Sequence, residues 1–171
     1  MPSDGYRPLP VAPRPFEGEV LGGWIGRIAS RYKLSVNVFE RTFELDLGLR
    51  GGRGWLLLDH LPGEALTRLS SLMRMNRDDI GAIAVPPAVA GVRKSLWYCP
   101  RCVFVNVVDV TAPIWRRDWF DPEMTHCPAD GWAFRAIPSG AALACRNLDQ
   151  LIALVGRYER RLRDEVAEKL R

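Results

Sequence analysis

The sequence predicts a mainly α fold with a small cysteine-rich insert, and three observations carry that expectation. Apolar residues recur at the three-and-four spacing of helices through much of residues 19–94. Cys99-Pro100-Arg101-Cys102 is answered by Cys127-Pro128-Ala129-Asp130, two pairs whose two-residue gap lets both donors of a pair face one metal ion. Residues 148–170 then carry one continuous amphipathic stripe. Together they give a helix-turn-helix-like helical N-terminal region, a zinc-ribbon-like insert with short strands, and a C-terminal amphipathic helix. The expected divisions are a Pro-rich arm over 1–18, a helical region over 19–94, the metal module over 95–140 and the terminal helix over 141–171.

The arm holds Pro2, Pro8, Pro10, Pro13 and Pro15. Each ring fixes φ and disfavours helix in the residue before it, so an extended segment is expected. From Glu19 the pattern turns helical. Leu21, Trp24, Ile25 and Ile28 share one face, and Arg27, Arg31 and Lys33 gather toward the C-terminal end. Ser35 is placed to cap a second helix, with Val36, Phe39 and Phe43 facing inward and Asn37, Glu40 and Arg41 outward. Two helices joined by a short turn fit a helix-turn-helix, whose second helix can enter the major groove, and fit an ordinary αα-hairpin equally well. Arg27, Arg31, Lys33, Asn37 and Arg41 are therefore the candidate nucleic-acid contacts.

Residues 47–54 read as a glycine-rich loop. It is no phosphate loop, because no Gly-Lys-Ser/Thr follows. A helix bearing Leu66, Leu69, Leu72 and Met73 is expected after Pro62-Gly63-Glu64, and Asn76 should cap a shorter one over 77–83. In the terminal helix Leu148, Leu151, Ile152, Val155, Tyr158, Leu162 and Val166 form the stripe, with Arg157, Arg160, Arg161 and Arg163 beside it. Either packing on the body with a solvated charged face or docking to a partner or a nucleic-acid backbone would use such a helix.

Twenty-four residues separate Cys102 from Cys127, room for a loop bearing Trp115, Trp119 and Phe120. Zinc is the leading reading of Cys99, Cys102, Cys127 and Asp130, since it takes four ligands in a tetrahedron and accepts sulfur with nitrogen or oxygen. Buried metal-free thiols and a redox pair are the alternatives. The redox pair fits less well, because a strand-like run over 103–108 follows where a helix would be expected. A disulfide framework is disfavoured by the lack of a secretion signal at the N-terminus.

The same residues carry a resemblance. Tyr98-Cys99-Pro100-Arg101-Cys102, then Trp115-Arg116-Arg117-Asp118-Trp119, then Cys127-Pro128-Ala129-Asp130-Gly131 resembles the TniQ family of transposition proteins. Residues 9–15, 18–21 and 24–29 are similar to its N-terminal signature, so the likeness covers both ends of roughly residues 8–135. The family usually has His where this chain has Asp130, which leaves Asp130, His126 or Cys145 as the fourth ligand, or a site that has decayed. The resemblance implies a short-form adaptor for transposition target selection. It would join target DNA, a guide RNA or a targeting complex to an AAA+ transposition ATPase, with a structural zinc and with a homodimer allowed. A helix-turn-helix transcriptional regulator with a structural zinc is the alternative.

An apolar fraction of 47% argues for a folded chain. No apolar run approaches the roughly eighteen residues of a membrane span, and a cytoplasmic location is expected. The net charge of +4 is modest and almost wholly arginine. Arginine suits bidentate contacts to phosphate or carboxylate, but solvated faces use it as readily. With only His60 and His126, and no nucleophile elbow or His-Glu-x-x-His, the chain reads as non-enzymatic. A metalloenzyme would need an open metal position at Asp130. Asp118, Asp121 and Glu123 are expected to form a polar loop.

Overall fold

The computed structural model describes residues 7–49, 54–85, 94–105 and 112–169. It is mostly helical with one two-stranded sheet, and one contiguous apolar core reaches from Leu9 to Val155. Among the described residues no helix is long and apolar enough to cross a membrane.

α1 (Leu21–Arg31) is the centre of that core, with every residue from Leu21 to Ser30 buried. Its first amides find acceptors outside the helix. Val20 N–H donates to the Trp115 carbonyl at 2.9 Å and Leu21 N–H to the Ile83 carbonyl at 2.7 Å. The expected single apolar face is thus corrected to burial all round. One cause is a close approach on the small side of the helix. A Cβ on Gly22 would lie 2.2 Å from the Trp55 carbonyl oxygen, so the 3₁₀ turn Trp55–Leu57 can seat there only against glycine. The other is cover from the arm and the segment before Trp119. Leu9 N–H pairs with the Leu72 carbonyl, Trp24 Nε1 donates to the Pro13 carbonyl at 2.8 Å, and Arg117 N–H donates to the Gly18 carbonyl.

α1 ends with Lys33 at φ 58°; Lys33 N–H donates to the Ser30 carbonyl and Leu34 N–H to the Ala29 carbonyl, a Schellman closure with lysine in the left-handed position. Ser35 then caps α2 (Val36–Thr42), its side chain accepting the Val38 N–H at 3.1 Å. Val36 and Phe39 face inward as expected, and Phe43 is half-buried against Phe39. Glu40 corrects the expectation of an outward face. It is buried, because its Oε1 accepts the Leu47 N–H at 2.9 Å and holds the chain that leaves the helix.

α3 (Gly63–Met73) buries Ala65, Leu69, Leu72 and Met73, and Asn76 caps α4 (Arg77–Ala82) by accepting the Asp78 N–H. β1 (Ser95–Tyr98) pairs antiparallel with β2 (Arg135–Pro138) in the register Leu96 to Ile137 and Tyr98 to Arg135. Leu96, Tyr98 and Ile137 turn inward. After the short α5 (Ser139–Leu143), Asn147 caps α6 (Leu148–Lys169) by accepting the Gln150 N–H, and its amide donates to the Leu34 carbonyl. Leu148, Leu151 and Val155 are buried against the body, whereas Leu162 is exposed. Among the described residues the stripe is therefore covered in its first half and open at Leu162. Tyr98 Oη and an Arg135 guanidinium N–H both donate to the Glu159 carboxylate, fastening the middle of α6 to the strands.

Candidate metal centre

β1 runs directly into the first cysteine pair, and the second pair leads back into β2, so the two-stranded ladder fixes the distance between them. The first knuckle is a tight turn. Cys102 N–H points at the Cys99 sulfur at 3.4 Å, and Val103 N–H donates to the Cys99 carbonyl at 3.1 Å. The turn continues through Phe104, with Val105 N–H on the Arg101 carbonyl. The strand expected from Val103 onward is thus absent over 103–105, and the rest of that run lies outside the described residues. In the second knuckle Gly131, at φ 72°, donates its N–H to the Cys127 carbonyl, and Cys127 N–H donates to the Trp132 carbonyl. Trp132 N–H holds Asp130 Oδ1 at 3.1 Å, which turns the carboxylate toward the sulfurs.

Cys99, Cys102, Cys127 and Asp130 each bring one donor atom, and the four lie within 4.8 Å of one another; they could hold a metal ion. The measured edges suit a tetrahedron. Metal–sulfur bonds of about 2.3 Å and metal–oxygen bonds of about 2.0–2.2 Å imply sulfur–sulfur edges of about 3.8 Å and sulfur–oxygen edges of about 3.5 Å. The Cys102 and Cys127 sulfurs are 3.6 Å apart, and Asp130 Oδ2 stands 3.3 Å from the sulfurs of both Cys99 and Cys102. Cys99 and Cys127 are buried, Cys102 and Asp130 half-buried. Without a cation, burial pushes the Cys99 thiol up to about 11 and raises that of Cys102 as well, with Asp130 and the neighbouring cysteines adding to it. Burial also pushes at the Asp130 carboxyl, but the Trp132 amide and the thiols of Cys102 and Cys99 hold it below the usual carboxylate range. A cation loading this quartet displaces thiol protons onto solvent and meets a carboxylate already charged.

The other candidates for the fourth position stand apart. His126 is exposed, with its Nδ1 at 2.9 Å from Thr125 Oγ1, and the Cys145 sulfur points to the Ala141 carbonyl. Asp118 pairs with Arg116, and Asp121 accepts the Glu123 N–H, so neither joins the quartet.

The candidate nucleic-acid residues separate. Arg27 is 9% exposed and corrects the expectation of an outward contact. Its Nε and Nη2 donate to the two Glu19 carboxylate oxygens at 2.9 and 2.7 Å, Nη2 also reaches the Arg14 carbonyl, and the guanidinium lies 4.5 Å from the Phe16 ring centre. Arg31, Lys33, Asn37 and Arg41 are exposed. Arg31 and Lys33 border one cleft, Asn37 and Arg41 another beside Leu49. Glu19 as the partner of Arg27 was missed by sequence reasoning, since it precedes the helix and its approach depends on how the arm folds back. Comparison with protein-family models, with curated proteins and with solved structures finds no match to this chain.

Proposed function

We propose that this chain is a non-catalytic, TniQ-type adaptor for transposition target selection, working in the cytoplasm with a structural zinc in the quartet. The observation that carries the reading is the four-donor set itself, three sulfurs and one oxygen supplied wholly by the protein at tetrahedral spacing. Thiolate-rich tetrahedral sites favour zinc, and a site whose four positions are filled by side chains is closed to substrate. Bound zinc would cross-link the two knuckles. The chain's own residues then do the rest: the β1–β2 ladder sets the knuckle spacing, and Tyr98 and Arg135 pass that rigidity to α6 through Glu159. The resemblance of the knuckles and of the N-terminal segment to the TniQ family supplies the functional class. On this reading the protein joins target DNA, a guide RNA or a targeting complex to an AAA+ transposition ATPase, and a helix-turn-helix formed by α1 and α2 contributes the nucleic-acid side.

Metal analysis of the purified protein, with Cys99→Ser and Asp130→Ala beside the parent, tests the site. One zinc per chain is expected, lost in Cys99→Ser and weakened in Asp130→Ala. Co-purification with an AAA+ transposition ATPase, assayed by size exclusion, tests the adaptor role. Zinc retained with no ATPase association, but with tight binding to a palindromic DNA site, would turn the assignment to the transcriptional regulator.

A further inference from the structure

A cleft of about 310 Å³ opens between the arm at Pro13, the last turn of α1, Lys33 and the first turn of α6. Ser30, only 5% exposed, borders it. The Ser30 oxygen accepts the Asp149 N–H at 3.1 Å, while its own proton is donated to no group among the described residues. The hydroxyl proton is therefore free to turn toward an acceptor in the cleft. Two cations, Arg31 and Lys33, stand at the mouth, both exposed and without an ion pair among the described residues. Arg27 also borders the cleft, but Glu19 and Arg14 occupy its Nε and Nη2, so it builds the wall and leaves the free charge to the other two. The first turn of α6, a helix of 22 residues, brings the positive end of its dipole to the same place.

We propose that this cleft binds a phosphate group, its source being the phosphodiester backbone of a nucleic acid. The inference rests on the nucleic-acid side of the reading above and gives it a specific contact. A tetrahedral oxyanion accepts several donors at once, and here the Lys33 ammonium, the Arg31 guanidinium and the Ser30 hydroxyl line one cleft at the end of α1. The volume, at the low end for ligand pockets, takes a phosphate with its sugar and little more. Among the described residues, Asp149 is the one carboxylate on the rim. It opposes the anion and caps the affinity of the parent protein.

The opposing charge makes the test decisive. Binding of a labelled single-stranded oligodeoxynucleotide without terminal phosphates is measured by fluorescence anisotropy over a range of salt. Arg31→Gln with Lys33→Asn, where Asn tolerates the left-handed backbone, is expected to weaken binding about tenfold or more. The log–log salt slope should become shallower by about one. Asp149→Asn is expected to tighten binding several-fold, a gain that a damaged fold cannot produce. Inorganic phosphate and a nucleoside 5′-monophosphate serve as competitors. If the nucleoside monophosphate binds with the same dependence on Arg31, Lys33 and Asp149 while the oligonucleotide does not bind, the phosphate site stands and the nucleic-acid reading falls. If the oligonucleotide binds and neither variant alters its affinity, the reading stands and the cleft is overturned as the site.

Discussion

The arm with α1 and the pair of cysteine knuckles are held in opposite ways. Around α1 the contacts are dense and direct. Glycine meets backbone at Trp55, Arg27 meets Glu19 out of water, and the arm's carbonyls take the donors of Trp24 and Arg27. The knuckles bury Val103 and two of their cysteines, but Phe104, Val105 and Trp132 stand exposed at 39%, 47% and 50%. A turn with so little apolar cover has little burial to offset the conformational entropy of its own ordering, which leaves the β1–β2 ladder, the turn hydrogen bonds and the four donors to hold it. With zinc in the quartet as proposed, one region would store its stability in packing and the other in ligation.

Metal withdrawal should separate the two most sharply. Structural zinc contributes about 10–16 kcal/mol to folding in isolated finger peptides, so a chelator should melt the knuckles entirely. Helical circular dichroism should survive, because α1, α2, α3 and α4 are fastened by contacts that involve no sulfur. Loss of the helical signal together with the metal would break the comparison, and would mean that the β1–β2 ladder supports the whole body.

Next in size is the buried ion pair. Arg27→Ala leaves Glu19 1% exposed and without its cation, a change that costs about 3–5 kcal/mol in comparable sites. The loss should depend on pH with a definite sign. Burial already raises the Glu19 carboxyl, against the hydrogen bond and charge of Arg27. Removing Arg27 lifts it further above its unfolded value, so the folded state holds the extra proton. The variant's deficit should be smallest below the ordinary glutamate range and grow as pH rises through the raised value. Denaturation midpoints across that range check it, and a pH-independent deficit would mean that water reaches Glu19.

Gly22→Ala sharpens the same side. The new Cβ would stand 2.2 Å from the Trp55 carbonyl oxygen and 2.6 Å from the Leu56 Cα, both backbone atoms that no rotamer change can move. Overpacking should outweigh the gain in helix propensity and leave a net loss of about 2 kcal/mol. Gly81→Ala in α4 meets nothing within 4 Å and should instead gain up to about 1 kcal/mol. Thermal melts of the two alanine variants should therefore move in opposite directions.

Local chemistry was what the sequence made legible. Ser35 and Asn76 cap where their side chains predict, Leu69, Leu72 and Met73 are core, and the two pairs Cys99/Cys102 and Cys127/Asp130 do converge. Each of these depends on neighbours within a few residues or on a spacing that a knuckle imposes by itself. Arg27 and Glu40 were misread as outward, because helical periodicity identifies a face only when one side of the helix meets water. The covering groups, the arm carbonyl of Arg14 and the amide of Leu47, come from outside each helix. Nothing local announces a second layer. Asp149 beside Ser30 was hidden for the same reason, being 119 positions away in the chain.

The smallest effect tests whether local backbone strain is tolerated for its own sake or tied to a contact. Arg74 and Glu44 both end helices in the left-handed region, at φ 50° and 49°. A side chain there costs on the order of 1 kcal/mol relative to glycine. Arg74 is exposed, so Arg74→Gly should return most of that as stability. Glu44 differs, for its carbonyl and its carboxylate both accept from Arg68 of α3, tying the end of α2 to the neighbouring helix. Glu44→Gly relieves the same strain but removes the carboxylate contact, leaving Arg68 on the backbone carbonyl of residue 44 and on Glu64, so its net effect should lie near zero. Equal gains from the two glycine variants would show that the exposed Glu44–Arg68 pair contributes nothing. A gain only at Arg74 would mean that even at its surface this half of the molecule accepts backbone strain in exchange for contact between helices.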